Sequence, residues 1–167
     1  MLNRILIALD SAKNPQPVFS TAIAWAKIND SRLLLLNVLS SQNDPTTKDS
    51  AEWESYRMSD LAELRSLSRI ANNSGLMADI AQPLGRTGQK ICELANQWGA
   101  DLIILGQPEL TADSEDVSND VGHYVIHHAS CPALVVPHSQ DRGFMPNVDV
   151  VDKHHTTQKT AALSGVC

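Results

Sequence analysis

Four short segments of this 167-residue chain are apolar almost without interruption: Leu2–Leu9, Arg32–Leu39, Leu102–Leu105 and Ala133–Val136. A strand that faces water on one side alternates polar and apolar residues. A continuous run of strand length belongs to a strand covered on both faces, as in a parallel sheet between layers of helices. That requirement excludes most all-β and all-α architectures before any other residue is considered.

The intervening segments carry the helical period. Pro15 and Pro17 suit the first turn of a helix continuing through Val18, Ala22, Ile23, Trp25 and Ala26. After a polar loop at 40–48 containing Asp44-Pro45, a long helix is predicted from about Ser50 to Ser74. Trp53, Tyr56, Leu61, Leu64, Leu67 and Ala71 form its apolar stripe, and Gly75 caps its end. Leu76–Pro83 reads as a weaker, partly alternating strand. Thr87–Trp98 is an amphipathic helix with Ile91, Leu94, Ala95 and Trp98 inward, closed by Gly99, and Val121–Ala129 is a last helical stretch. The resulting β-α-β-α-β-α-β-α-β order predicts a single doubly wound α/β domain over residues 1–137, with five parallel strands ordered 3-2-1-4-5 and helices on both faces. Beyond Pro137 the chain turns polar and loses periodicity, so residues 138–167 are expected to be a flexible tail, with Val148–Val151 as one short strand candidate.

A net charge of −6 argues against a nucleic-acid partner and against docking on anionic membranes. No apolar run reaches the roughly 18 residues that cross a bilayer. Met1-Leu2-Asn3-Arg4-Ile5 enters a strand directly, without the features of a signal peptide. Cys92, Cys131 and Cys167 are odd in number and widely spaced, which fits free thiols in a reducing cytoplasm.

The segment from Leu102 to Val136 has the layout of a phosphate loop without its residues. Gly106 directly follows a buried strand and precedes a loop and a helix, the place where open α/β sheets bind nucleotides. Yet the loop 107–120 holds no further glycine and no Lys or Arg, while it carries Glu109, Asp113, Glu115, Asp116 and Asp120. The acidic residues do not follow the EF-hand pattern, which puts glycine where Ser118 stands. Gly85-Arg86-Thr87-Gly88 fits no nucleotide motif and reads as a turn with Thr87 as helix cap. His123, His127 and Cys131 fall at i, i+4 and i+8, a spacing open to a metal on one helix face. The helix is expected to stop before Cys131, however, and no metal centre is expected.

Five motifs in register resemble the universal stress protein (UspA-like) family. Arg4-Ile5-Leu6-Ile7-Ala8-Leu9-Asp10-Ser11 resembles the family's first strand, and Leu34-Leu35-Leu36-Asn37-Val38 its second, which usually ends His-Val. Ile91-Cys92-Glu93-Leu94-Ala95 and Gly99-Ala100-Asp101-Leu102-Ile103-Ile104-Leu105-Gly106 are similar to the approach to its fourth strand. Tyr124-Val125-Ile126-His127-His128-Ala129-Ser130-Cys131-Pro132-Ala133-Leu134-Val135-Val136 is similar to its ending. The likeness covers residues 2 to 137. It implies contacts to adenosine from the Asp10 region and to adenine from Val38, with Gly106 opening the phosphate signature G-x2-G-x9-G-[ST]. It also implies a homodimer through the last strand, Ala133–Val136.

Laid on that signature without a gap, this chain has Glu109, Asn119 and Asp120 at the second glycine, third glycine and hydroxyl positions. Glycines there let the backbone approach phosphates with its N–H groups exposed. Glu109 instead puts a carboxylate where phosphate would lie, and Asp120 replaces a hydroxyl donor with an acceptor. Each carboxylate repels a polyanion by about 1 kcal/mol or more, and the lost hydrogen bonds add about as much. A micromolar site would weaken roughly a hundredfold. The expectation is a non-enzymatic, dimeric, cytoplasmic stress-response module with unknown protein partners, no catalytic residues and no cofactor. The alternative is a sensor that still binds ATP, AMP or another adenine nucleotide at Asp10, Val38 and Gly106.

Overall fold

The strand formed first along the chain, β1 (Arg4–Ala8), lies in the middle of the sheet. The computed structural model of the chain describes residues 1–10, 13–40, 50–107 and 121–137. From β1 the chain passes through α1 (Gln16–Asn29), β2 (Arg32–Leu36), the two-residue β3 (Leu39–Ser40) and α2 (Ser50–Asn73). It continues through β4 (Ala78–Ala81), the two-residue β5 (Leu84–Gly85), α3 (Thr87–Trp98), β6 (Leu102–Gly106), α4 (Val121–His128) and β7 (Ala133–Val136). The main sheet is five-stranded in the order β4-β2-β1-β6-β7, and every pair is parallel. Counting only these five strands along the chain, this is the predicted 3-2-1-4-5.

The continuous apolar runs divide at each strand between two cores. Ile5, Ile7, Leu33, Leu35, Leu102 and Ile104 point to one face, where α1 adds Val18, Phe19, Ala22 and Ala26 and α2 adds Leu64, Leu67 and Ala71. Leu6, Leu34, Leu36, Ile103 and Leu105 point to the other, against Ile91 and Ala95 of α3 and Val125 of α4. Successive strand residues alternate sides, so only a run apolar at every position fills both layers.

Two of the predicted strands are longer in sequence than in structure. Arg32–Leu39 and Leu76–Pro83 become β2/β3 and β4/β5, with a break between. The register is unchanged across it: Leu36 faces Ala81 and Leu39 faces Leu84. Asn37 and Leu39 donate their N–H groups to the carbonyls of Ala81 and Pro83, at 3.1 and 2.9 Å. Pro83 has no N–H to return, which interrupts an otherwise single ladder.

α2 and α3 end as their glycines predict. At α3, Gly99 adopts φ 69° and its N–H reaches Asn96 at 3.2 Å, while Ala100 N–H reaches Ala95 at 2.8 Å. This paired arrangement satisfies the last carbonyls and needs a left-handed residue. The predicted cap at the other end of α3 is not formed. Arg86 is the N-cap, with extended backbone and no side-chain cap bond, and Thr87 is the first helical residue. Trp25, predicted in the apolar stripe of α1, is 42% exposed, and Tyr56 of α2 is exposed as well.

Asp101 fastens the start of β1 to the α3–β6 junction. Its carboxylate accepts the N–H groups of Asn3 and Arg4 at 2.8 and 2.9 Å, and its own N–H donates to Arg4 O at 2.9 Å. Arg4 in turn donates to Trp98 O at 2.8 Å.

Candidate functional site

α1 and α2 cover one face of the sheet and α3 and α4 the other, so the winding direction reverses between β1 and β6. The connections after these two strands lead to helices on opposite faces, and at such a switch point an open α/β sheet has a crevice outside its carboxyl ends. In open α/β sheets that crevice is where ligands bind.

The three site residues predicted from sequence converge on this edge. Ala8 pairs with Leu36 on one side and Leu105 on the other. Asp10, Val38 and Gly106 therefore each lie one or two residues beyond a paired position on the adjacent strands β1, β2 and β6. Leu9 N–H donates to Leu36 O at 2.8 Å, holding the approach to Asp10 against β2. Gln107 N–H donates to Val136 O at 2.8 Å, which directs the chain after Gly106 along β7. Val38 is half-buried against the core beneath α3 and α4, and Asn37 beside it is buried.

Asp10 has a neighbour that the sequence reading did not single out. Lys13 N–H donates to Asp10 O at 3.0 Å, a reverse turn between β1 and α1, and Lys13 Nζ stands 4.0 Å from Asp10 Oδ2. The turn sets a cation beside the Asp10 carboxylate just beyond the carboxyl end of β1. The signal available was the i, i+3 spacing of Asp and Lys in a loop that must turn sharply into a helix.

The phosphate-loop positions Glu109, Asn119 and Asp120 lie outside the described residues, as do Asp113, Glu115, Asp116 and the tail 138–167. α4 ends at His128, so Cys131 is separate from His123 and His127; it packs with Cys92 against the core under α3 and α4. Both thiols are half-buried rather than fully enclosed. Burial pushes both upward from the ordinary thiol range, helped at Cys92 by Cys131 and at Cys131 by Asp101. Thiols held neutral are poor nucleophiles, so neither is equipped for covalent chemistry. Among the described residues no group of three or more His, Cys, Asp or Glu side chains is arranged to hold a metal, and no helix is long and apolar enough to cross a membrane.

A five-stranded parallel sheet wound with helices on both faces, its winding reversing between β1 and β6, defines a doubly wound α/β domain. The universal stress protein family model matches residues 1–137, and the chain belongs to that family. A putative universal stress protein of Staphylococcus epidermidis is 30% identical over 149 residues, spanning 86% of this chain and 90% of the relative. The structure of universal stress protein UspA from Lactobacillus plantarum superposes with a TM-score of 0.64 at 24% identity, covering 81% of this chain and 97% of that one. A universal stress protein solved in complex with cAMP superposes at 0.65 with 19% identity, covering 83% and 99%.

Proposed function

We propose that this chain is a non-enzymatic, dimeric stress-response module of the cytoplasm whose crevice has lost the usual means of holding a triphosphate. The observation that carries this reading is the residue set Glu109, Asn119 and Asp120 downstream of Gly106, where the family signature has glycine, glycine and a hydroxyl. A phosphate clamp for catalysis needs cations and close backbone approach, and the segment 107–120 provides neither a Lys or Arg nor another glycine. Titration calorimetry of the nucleotide-free protein with ATP and Mg²⁺ tests it. The expected result is no heat at high micromolar ligand for the wild type, and binding in the variant Glu109→Gly/Asn119→Gly/Asp120→Ser. Micromolar binding of ATP by the wild type would refute the reading.

A second reading rests on the convergence of Asp10, Val38 and Gly106 at the switch point. Proteins of the same fold are solved with cAMP, with dAMP and with AMP. The adenine side of the crevice requires none of the loop glycines, so a nucleoside monophosphate is the ligand that survives their loss. Under this reading the wild type binds AMP, and Asp10→Ala abolishes the heat.

Dimerisation is assigned to β7. The carbonyls of Pro132 and Val136 accept from β6, so by strand alternation the backbone groups of Ala133 and Val135 point out from the sheet edge. Among the described residues no strand pairs with that side of β7. An apolar edge strand calls for cover, and an antiparallel copy of itself across a two-fold axis supplies it.

A further inference from the structure

Three histidines lie on α4, and the structure treats them differently. His128 is committed: its Nδ1 is 2.8 Å from Tyr124 O, and its ring stacks on Tyr124 with centroids 4.1 Å apart and planes 10° from parallel. His123 and His127 are exposed on successive turns, with ring centroids 4.4 Å apart and planes tilted by 53°. Among the described residues no hydrogen bond or ion pair occupies the nitrogens of either ring. Two exposed imidazoles held side by side on one helix face are the donor pair that a divalent cation can bridge.

We propose that His123 and His127 form a two-imidazole site on the outer surface of α4 for a late first-row divalent cation, Cu²⁺ or Ni²⁺. Residues at i and i+4 stand one above the other on a helix face, which sets the bite of the pair without cost to the backbone. Imidazole nitrogen suits these ions, and they head the Irving–Williams order for such ligands. With two protein ligands the other coordination positions go to water. A closed tetrahedral zinc centre, which takes four protein ligands, does not fit. None of the three residues Asp10, Val38 and Gly106 takes part in this site, so the proposal does not depend on what they bind. Because the chelate exists only while α4 is helical, the bound ion holds the helix closed by mass action.

The test uses the full chain and Ni²⁺, which spares the thiols from oxidation by copper. Calorimetric titration is run alongside thermal unfolding for wild type, His123→Ala, His127→Ala, His128→Ala and His154→Ala/His155→Ala. Alanine at exposed helical positions preserves the fold, and unchanged unfolding in metal-free buffer verifies that. The expected result is one Ni²⁺ per chain and a melting temperature that rises with Ni²⁺. Removing either chelate arm should weaken binding by on the order of a hundredfold, since the second imidazole binds intramolecularly. His128→Ala and the tail variant should bind as the wild type does. Absence of Ni²⁺ binding to the wild type, or loss of binding only in the tail variant or only in His128→Ala, would overturn the assignment.

Discussion

A single missing side chain sets how closely α3 and α4 pack. Gly88 is buried, and a Cβ placed there would lie 2.7 Å from Tyr124 Cδ1 and 3.1 Å from Tyr124 Cβ. Tyr124 is itself held by its stack with His128. Gly88→Ala must therefore push the two helices apart, and despite the better helix propensity of alanine it is expected to destabilise by about 1–3 kcal/mol in urea unfolding. Glu63 offers a pH test. Burial raises its carboxyl above the ordinary range, with Asp60 adding to the effect. The folded state then holds the proton more tightly than the unfolded chain. Stability falls as pH rises from about 4.3, the unfolded value, through the higher folded value. Glu63→Gln should raise stability at pH 7 by ~0.5 kcal/mol or less, the partial exposure of the group limiting the gain, and the gain should vanish below about pH 4. Cys92 and Cys131, kept neutral by burial, should be alkylated slowly in the native protein and rapidly in denaturant, as mass spectrometry of a Cys167→Ser variant would measure.

At the level of elements, the apolar pattern located the four helices and the five main-sheet strands of the described residues, because both kinds of element bury residues at a fixed period. The pattern did not rank the residues it found. Along α2 the stripe reads equally from Trp53 to Ala71, yet Leu64, Leu67 and Ala71 are buried while Tyr56 is exposed and Trp53 only partly covered. The helix spans 24 residues and the strand after it four, so the first turns of α2 have no sheet beneath them. Trp53 and Tyr56 instead stack on each other, with centroids 6.3 Å apart. Leu64→Ala should cost about 2–5 kcal/mol, and Trp53→Ala under about 1 kcal/mol, in the same denaturation assay. Equal costs would mean that the start of α2 is buried against a partner. The break at Pro83 and the uncapped start of α3 also escaped the sequence. Strand pairing across 45 positions and the choice between Arg86 and Thr87 as cap depend on contacts that no local pattern encodes.

For the whole molecule, the position of the switch point was legible because the β-α order fixes where the winding reverses, while Asp10 and Val38 were singled out by the family resemblance. Lys13 was not, since its approach to Asp10 follows from the turn alone. The proposed dimer has its own test. Val135→Pro removes an outward N–H without touching the carbonyls that β6 uses. It should convert a dimer to a monomer in analytical ultracentrifugation while leaving far-UV circular dichroism unchanged.

The position of β1 also governs when the molecule can become itself. Arg4 is bound by Asp101, 97 residues further on, and the flank of β1 that receives β6 has no occupant until that later segment exists. At ribosomal rates of about 5–20 residues per second, the first strand made waits roughly 5 to 20 seconds for its last neighbour. During that interval the central strand of the sheet, with Ile5, Leu6 and Ile7 all destined for burial, has one open side. The demand on chaperones should therefore fall early in synthesis, ahead of Leu102, rather than after release.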